Sequence, residues 1–173
     1  MKKVLFLFTI FSLLLCGWQS DKPEKRYKDI LSIYLVKNSR LYIPSKETIL
    51  SDLILEDSPI LKIDSIKSYS WQSHRIQFSS GVKEDMKKRI PFSRIFVVIA
   101  NDDRIYWGRF TDPADSYICD DNPAICLPPC RPRFNCIPDE LIISRAPKLI
   151  NNNDIRNDNK IYNVLKGSGK MIP

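Results

Sequence analysis

Downstream of residue 28 the apolar positions fall into short runs separated by polar breaks, a spacing that suits strands more often than helices. Ile30 to Lys37 is rich in strand formers, and Asn38-Ser39 offers a two-residue turn into Arg40 to Pro44, which predicts a hairpin. Ser45 to Leu55 reads as one helical turn followed by a short extended piece, broken by Pro59. Ile66 to Trp71 and His74 to Phe78 alternate apolar and polar residues, as half-buried strands do. Ser79 to Arg89 carries serine at its start, acids early and bases late, in keeping with a helix dipole. Val82, Met86 and Ile90 give this helix a narrow apolar stripe, and Pro91 ends it. Ile95 to Ala100 has no alternation at all and predicts a central strand covered on both faces. After a turn at Asn101-Asp102-Asp103, Arg104 to Phe110 returns as its antiparallel neighbour.

The pattern then changes. Residues 113–138 hold six of the twelve prolines and four cysteines, which predicts an irregular loop rather than sheet, because proline lacks the backbone donor a ladder needs. Glu140 to Arg145 reads as a further strand, Asn151 to Asn159 as a polar linker, and Asp158 to Lys166 as a short helix with Gly167 past its end. The fold class expected from this pattern is α+β: an antiparallel sheet with one packed helix, a disulfide-stapled proline-rich loop over residues 112–138, and a short C-terminal helix. Residues 29–150 form the expected domain, with residues 151–173 as linker and helix. No internal repeat is present.

The N-terminus alters the picture of where such a domain resides. Met1-Lys2-Lys3 precedes an apolar run from Val4 to Leu15, too short to span a bilayer as a helix but the right length for the core of a signal peptide. No pair of small residues suited to ordinary secretory cleavage follows it. Leu13-Leu14-Leu15-Cys16 resembles the lipobox of bacterial lipoproteins, although Leu15 is larger than the residue that usually precedes the cysteine. The resemblance implies removal of residues 1–15 and lipidation of Cys16, with residues 16–28 as a polar tether. Removing 15 residues, two of them lysines, lowers the net charge from +7 to +5 and leaves 158 residues. Basic tether residues beside anionic headgroups would contribute about 1 kcal/mol each. Nucleic acid is disfavoured as the basic partner by this location.

Lipidation of Cys16 leaves an even set, Cys119, Cys126, Cys130 and Cys136. In an exported chain four cysteines suggest two disulfides, with three pairings open. The spacing lacks the close cysteine pairs of a four-thiolate zinc site, so no metal is expected there.

Composition removes much of the remaining chemistry. Five glycines are too few, and wrongly placed, for a nucleophile elbow, a Walker loop or a dinucleotide loop. The single histidine, His74, sits beside Trp71 before a strand and is expected to be a turn or packing residue rather than a general base. Asp112, Asp115, Asp120 and Asp121 with Asn122 lack the ordered calcium-loop pattern and read as a solvated acidic loop balancing Arg109, Arg131 and Arg133. No cofactor is expected. Aromatic and arginine residues stand out instead: Trp107 and Arg109 share one face of a strand, while Arg131, Arg133 and Phe134 lie between two cysteines. These five are the candidate partner-binding residues.

The pieces Tyr69-x-Trp71-x-x-His74-x-Ile76, Ile95 to Val98, Arg104 to Gly108 and Asp154 to Tyr162 resemble small bacterial lipoproteins that carry no assigned activity. Residues 66–110 are also similar in element order to the periplasmic head of the SecD translocation subunit. Neither likeness supplies a functional residue. The expectation is a non-catalytic protein held by lipid at Cys16 on the membrane of a bacterial cell envelope, on its periplasmic or outer face, and binding another envelope protein. The alternatives are an envelope hydrolase built on His74 and carboxylates, and a small lipoprotein that binds a solute or metal.

Overall fold

The computed structural model describes residues 31–37, 49–90, 93–111, 122–127, 139–144 and 154–172. Nine strands form one curled, mixed sheet resembling half a barrel. In chain order the strands are β1 Leu31–Leu35, β2 Leu61–Lys62, β3 Ile66–Ser70, β4 Arg75–Phe78, β5 Arg94–Ala100, β6 Asp103–Thr111, β7 Ala124–Cys126, β8 Glu140–Ser144 and β9 Met171–Ile172. Their order across the sheet is β2-β1-β5-β6-β7-β8-β4-β3-β9. Two helices are described, α1 Val82–Arg89 and α2 Asn159–Gly167.

This corrects the expected antiparallel sheet with one packed helix. β7 runs parallel to β6, and β9 runs parallel to β3. The segment expected to be loop throughout contributes β7, whose three residues pair with β6 on one side, and two of which, Ala124 and Ile125, pair with β8 on the other, so that it joins two halves of the sheet. Proline does not prevent this, because Ala124-Ile125-Cys126 between Pro123 and Leu127 keeps its backbone donors. Among the described residues there is no disulfide. Cys126 lies exposed at the end of β7, and Cys119, Cys130 and Cys136 lie outside the described residues. Outside them too are residues 1–28 with Cys16, the Asn38-Ser39 turn, the Arg40 to Pro44 strand, and Arg131, Arg133 and Phe134.

The unalternating run behaves as its pattern predicts. Phe96, Val98 and Ala100 enter the main core inside the curl, while Ile95, Val97 and Ile99 enter a second core on the outside. The inner core also takes Leu31, Ile33 and Leu35 from β1, and it is filled from the concave side by Met86 of α1 and by Ile161, Val164 and Leu165 of α2. Gly108 of β6 pairs with Phe96 across the ladder, and a Cβ there would meet the Phe96 ring and the Pro123 carbonyl oxygen. The glycine lets the ring lie flat over the strand.

The outer core is covered by residues 49–56, which include a single 3-10 turn at Leu50–Asp52. Lys37 donates its N–H to the Ile54 carbonyl at 2.8 Å, and Glu56 donates to that of Leu35 at 2.8 Å. The Arg104 guanidinium donates to the carbonyls of Leu50, Ser51 and Leu53, which fastens the turn to β6.

Both helices lie close to their expected positions, with different caps. Gly81, at φ +85, precedes α1 with no side-chain cap, so neither Ser79 nor Ser80 plays the predicted role. Glycine is the residue that adopts this left-handed backbone without strain. Asp158 caps α2 by accepting from the Lys160 N–H at 2.7 Å. Asn101 and Asp102, both at positive φ, make the tight turn between β5 and β6.

Candidate functional site

The β3–β4 connection is a tight turn over residues 71–74 that ends on His74 at φ +50, a left-handed conformation uncommon outside glycine. This backbone continues the ladder, since the Ile143 N–H of β8 donates to the His74 carbonyl at 3.0 Å. The imidazole is 3% exposed. Its Nδ1 lies 2.7 Å from the Tyr69 hydroxyl, and its Nε2 lies 3.9 Å from Oδ2 of Asp154.

Asp154 reaches this position because a second polar contact holds it. The Arg156 Nε donates to Asp154 Oδ1 at 2.8 Å, and the other end of the guanidinium donates to Asp154 Oδ2 and to the Ile143 carbonyl. Asp154 also accepts from the Arg156 backbone N–H, which shapes the 3-10 turn at Ile155–Asn157 leading into α2. Trp71 closes the group: its ring centroid is 5.9 Å from that of His74, and 5.1 Å from that of Tyr162 on α2 in an edge-on arrangement.

Electrostatics fix the protonation states. Burial, with the Arg156 charge second, lowers the His74 pKa to about 4 against a weaker opposing pull from Asp154, so the ring is neutral near pH 7. Burial pushes the Tyr69 phenol well above its ordinary value, so it keeps its proton. The ionised Asp154 carboxylate beside Nε2 favours the tautomer that carries its proton there, and in that tautomer Nδ1 accepts from the Tyr69 hydroxyl. The hydrogen bond from Arg156 holds the Asp154 carboxyl below the usual range, keeping it ionised.

A general base needs an accessible lone pair and a pKa near the working pH. His74 has neither: its one basic nitrogen is taken by Tyr69, and its pKa is low. What the arrangement does do is mechanical. It ties together β3, the β3–β4 turn, β8 and the segment that begins α2. The expectation that His74 is a turn and packing residue agrees with its position. Its partners Asp154 and Arg156 were missed, since they lie in a stretch whose asparagines and aspartates read as a solvated linker.

Trp107 and Arg109 do point to the same side of β6, as strand alternation predicts. Trp107 is half-buried against the outer core, and Arg109 is half-buried where β6 meets β7. The other three candidate contact residues, Arg131, Arg133 and Phe134, lie outside the described residues. Of the acidic group, Asn122 is described and the four aspartates are not. Among the described residues no group of three His, Cys, Asp or Glu side chains is placed to hold a metal ion.

Lys83 gives a second surprise on a helix expected to be narrow in its apolar face. It is 5% exposed, and its Nζ donates to the Glu140 carbonyl at 2.9 Å, joining α1 to the start of β8. Burial lowers its pKa. A long side chain can bury its stem and still satisfy its ammonium group on a backbone carbonyl. The helical pattern alone carried no signal for this.

No family model, curated protein or solved structure matches this chain.

Proposed function

We propose that this chain is a lipid-anchored protein of the bacterial cell envelope that binds a protein partner and performs no chemistry of its own. The observation that carries the non-catalytic part is the state of His74: the one imidazole in the sequence is buried, neutral and already bonded to Tyr69. A hydrolase built on it would first have to open the core. The anchor rests on the lipobox-like Leu13-Leu14-Leu15-Cys16, and the contact residues proposed are Arg131, Arg133 and Phe134 with Trp107 and Arg109. Arginine and aromatic side chains are favoured anchors at interfaces. Further support comes from the outer layer, where Ile49 and Ile54 are 63% and 69% exposed on one short segment. Two large aliphatic side chains held this far into solvent so close together suit a contact surface.

The test is in-cell crosslinking of the tagged protein, with membrane fractionation, for four variants. Cys16→Ser should lose membrane attachment, because stable anchoring requires the acyl chains. Arg131→Ala/Phe134→Ala should keep the fold and lose the crosslinked partner, and Ile49→Asp/Ile54→Asp should do the same. His74→Gln should keep the crosslink. A hydrolytic activity in purified protein that His74→Gln abolishes without unfolding would overturn the proposal.

A further inference from the structure

Register lays out the outer face of β8-β4-β3-β9. Leu141, Ile76, Tyr69 and Met171 pair in one row across the four strands, and their side chains join the inner core or pack against it. Strand alternation therefore turns the flanking rows outward. One of them runs Ile142, Arg75, Ser70, Ile172. The other runs Glu140, Gln77, Ser68 and ends beside Lys170, whose carbonyl accepts from the Tyr69 N–H. The face is open: Ile142 and Ile172, at the two ends of one row, are 42% and 46% exposed, and the Arg75 side chain is 47% exposed. Three strand spacings, about 14 Å, separate the two isoleucines.

Its charge is mainly positive. Arg75 and Lys170 lie on it, and Lys67 is exposed at the bulge between inward Ile66 and outward Ser68. The one carboxylate in the two rows, that of Glu140, is 13% exposed and lies 3.4 Å from the Arg75 guanidinium. This charge disfavours a second copy of the chain, since two such faces would set cations against cations. Aliphatic tips beside cations match an anionic lipid surface instead, where the tips enter the headgroup layer and the cations meet phosphates. We propose that this face rests on the anionic membrane to which the chain is tethered. The proposal relies on the lipid anchor of the preceding section to bring the domain near the bilayer, and on the face alone for the contact. From Cys16 to Leu31 the chain can extend roughly 50 Å, so the anchor leaves the orientation of the domain open and the face sets it. Docking this way leaves Ile49 and Ile54, on the other half of the sheet, to the protein partner.

The test places the full chain, purified from cell membranes, on nanodiscs that carry a spin-labelled lipid, and follows isoleucine methyl groups by NMR. On discs of phosphatidylglycerol mixed with phosphatidylcholine, the methyl groups of Ile142 and Ile172 should broaden and those of Ile49 and Ile54 should not. On phosphatidylcholine alone, neither pair should broaden. Lys67→Gln/Lys170→Gln should lower the docked-to-undocked ratio about 25-fold, about fivefold for each cation removed. The methyl shifts of buried Ile76 and Ile161 should stay unchanged in that variant, as the sign of an intact core. Broadening of both pairs alike, or broadening of Ile142 and Ile172 that ignores lipid charge, would overturn the proposal. Chain that stays on the disc while neither pair broadens overturns the docking face and leaves the anchor standing; chain that does not stay on the disc overturns both.

Discussion

The two halves of the sheet are held in different ways. In β2-β1-β5-β6, both faces of the central strands are covered by apolar side chains: Phe96 and Val98 inward, Val97 and Ile99 outward, each at most 3% exposed. In β8-β4-β3-β9, the inner face is apolar but the outer face meets solvent at Arg75, Ile142 and Ser144, and the final strand is two residues long. This half depends on the C-terminal segment, which is fastened by Arg156 and Asp154 to His74 and the Ile143 carbonyl. Burial is spread over many side chains and tolerates small adjustments. A buried ionic contact is concentrated in a few atoms, and loss of one partner leaves the other charge stranded.

Truncation of the first half should produce the largest effect. Phe96→Ala removes a fully buried ring from the inner core and the cover over Gly108, and should cost about 4 kcal/mol in urea unfolding. Next comes Arg156→Ala, which leaves Asp154 and the Ile143 carbonyl without their partner and should cost about 3 kcal/mol. Replacing both ends, Asp154→Ala with Arg156→Ala, should cost less than the sum of the single changes, because no charge is stranded.

Acid should separate the halves more gently. His74 titrates near 4 in the folded protein and near 6.5 in the unfolded chain, so between those values the unfolded state takes up a proton that the folded state refuses. The stability it contributes is therefore complete above about pH 6.5 and is lost as pH falls toward 4, on the order of 3 kcal/mol in total. Asp154, with its pKa lowered by Arg156, adds a further loss of the same sign at still lower pH. His74→Gln should flatten the thermal-stability profile between pH 6.5 and 4 while leaving the loss at lower pH; an unchanged slope would mean that His74 is not buried and neutral.

Local pattern reveals the first half and hides much of the second. An unbroken apolar run can only be satisfied by two covered faces, so β5 is legible from Ile95 to Ala100, and the Asn101-Asp102 turn directs β6 back beside it. The segment of α1 is legible from its charge order and apolar spacing, although the serine cap expected of it is absent, and that of α2 from Asp158 at its start and its apolar spacing. β2 and β9, at two residues each, are too short to leave a periodic trace, and β7 is concealed between prolines. Parallel pairing of β7 with β6 and β9 with β3 depends on how the chain returns, which no local pattern encodes. The polar clasp was hidden for the same reason: Asp154 and Arg156 acquire a purpose only once β8 and the His74 turn are beside them.

The measurement that most directly tests this division is native-state hydrogen exchange in wild type and Arg156→Ala. Amides of β5 in the wild type should exchange only through global unfolding, whereas those tying in the C-terminal segment, such as Tyr69 N–H to the Lys170 carbonyl and Lys170 N–H to that of Leu165, should open at lower free energy. In Arg156→Ala, that smaller opening should become markedly easier relative to global unfolding. Equal opening free energies in both halves of the wild type, shifted equally by the mutation, would contradict the account: the sheet would then be a single cooperative unit with no separate clasp.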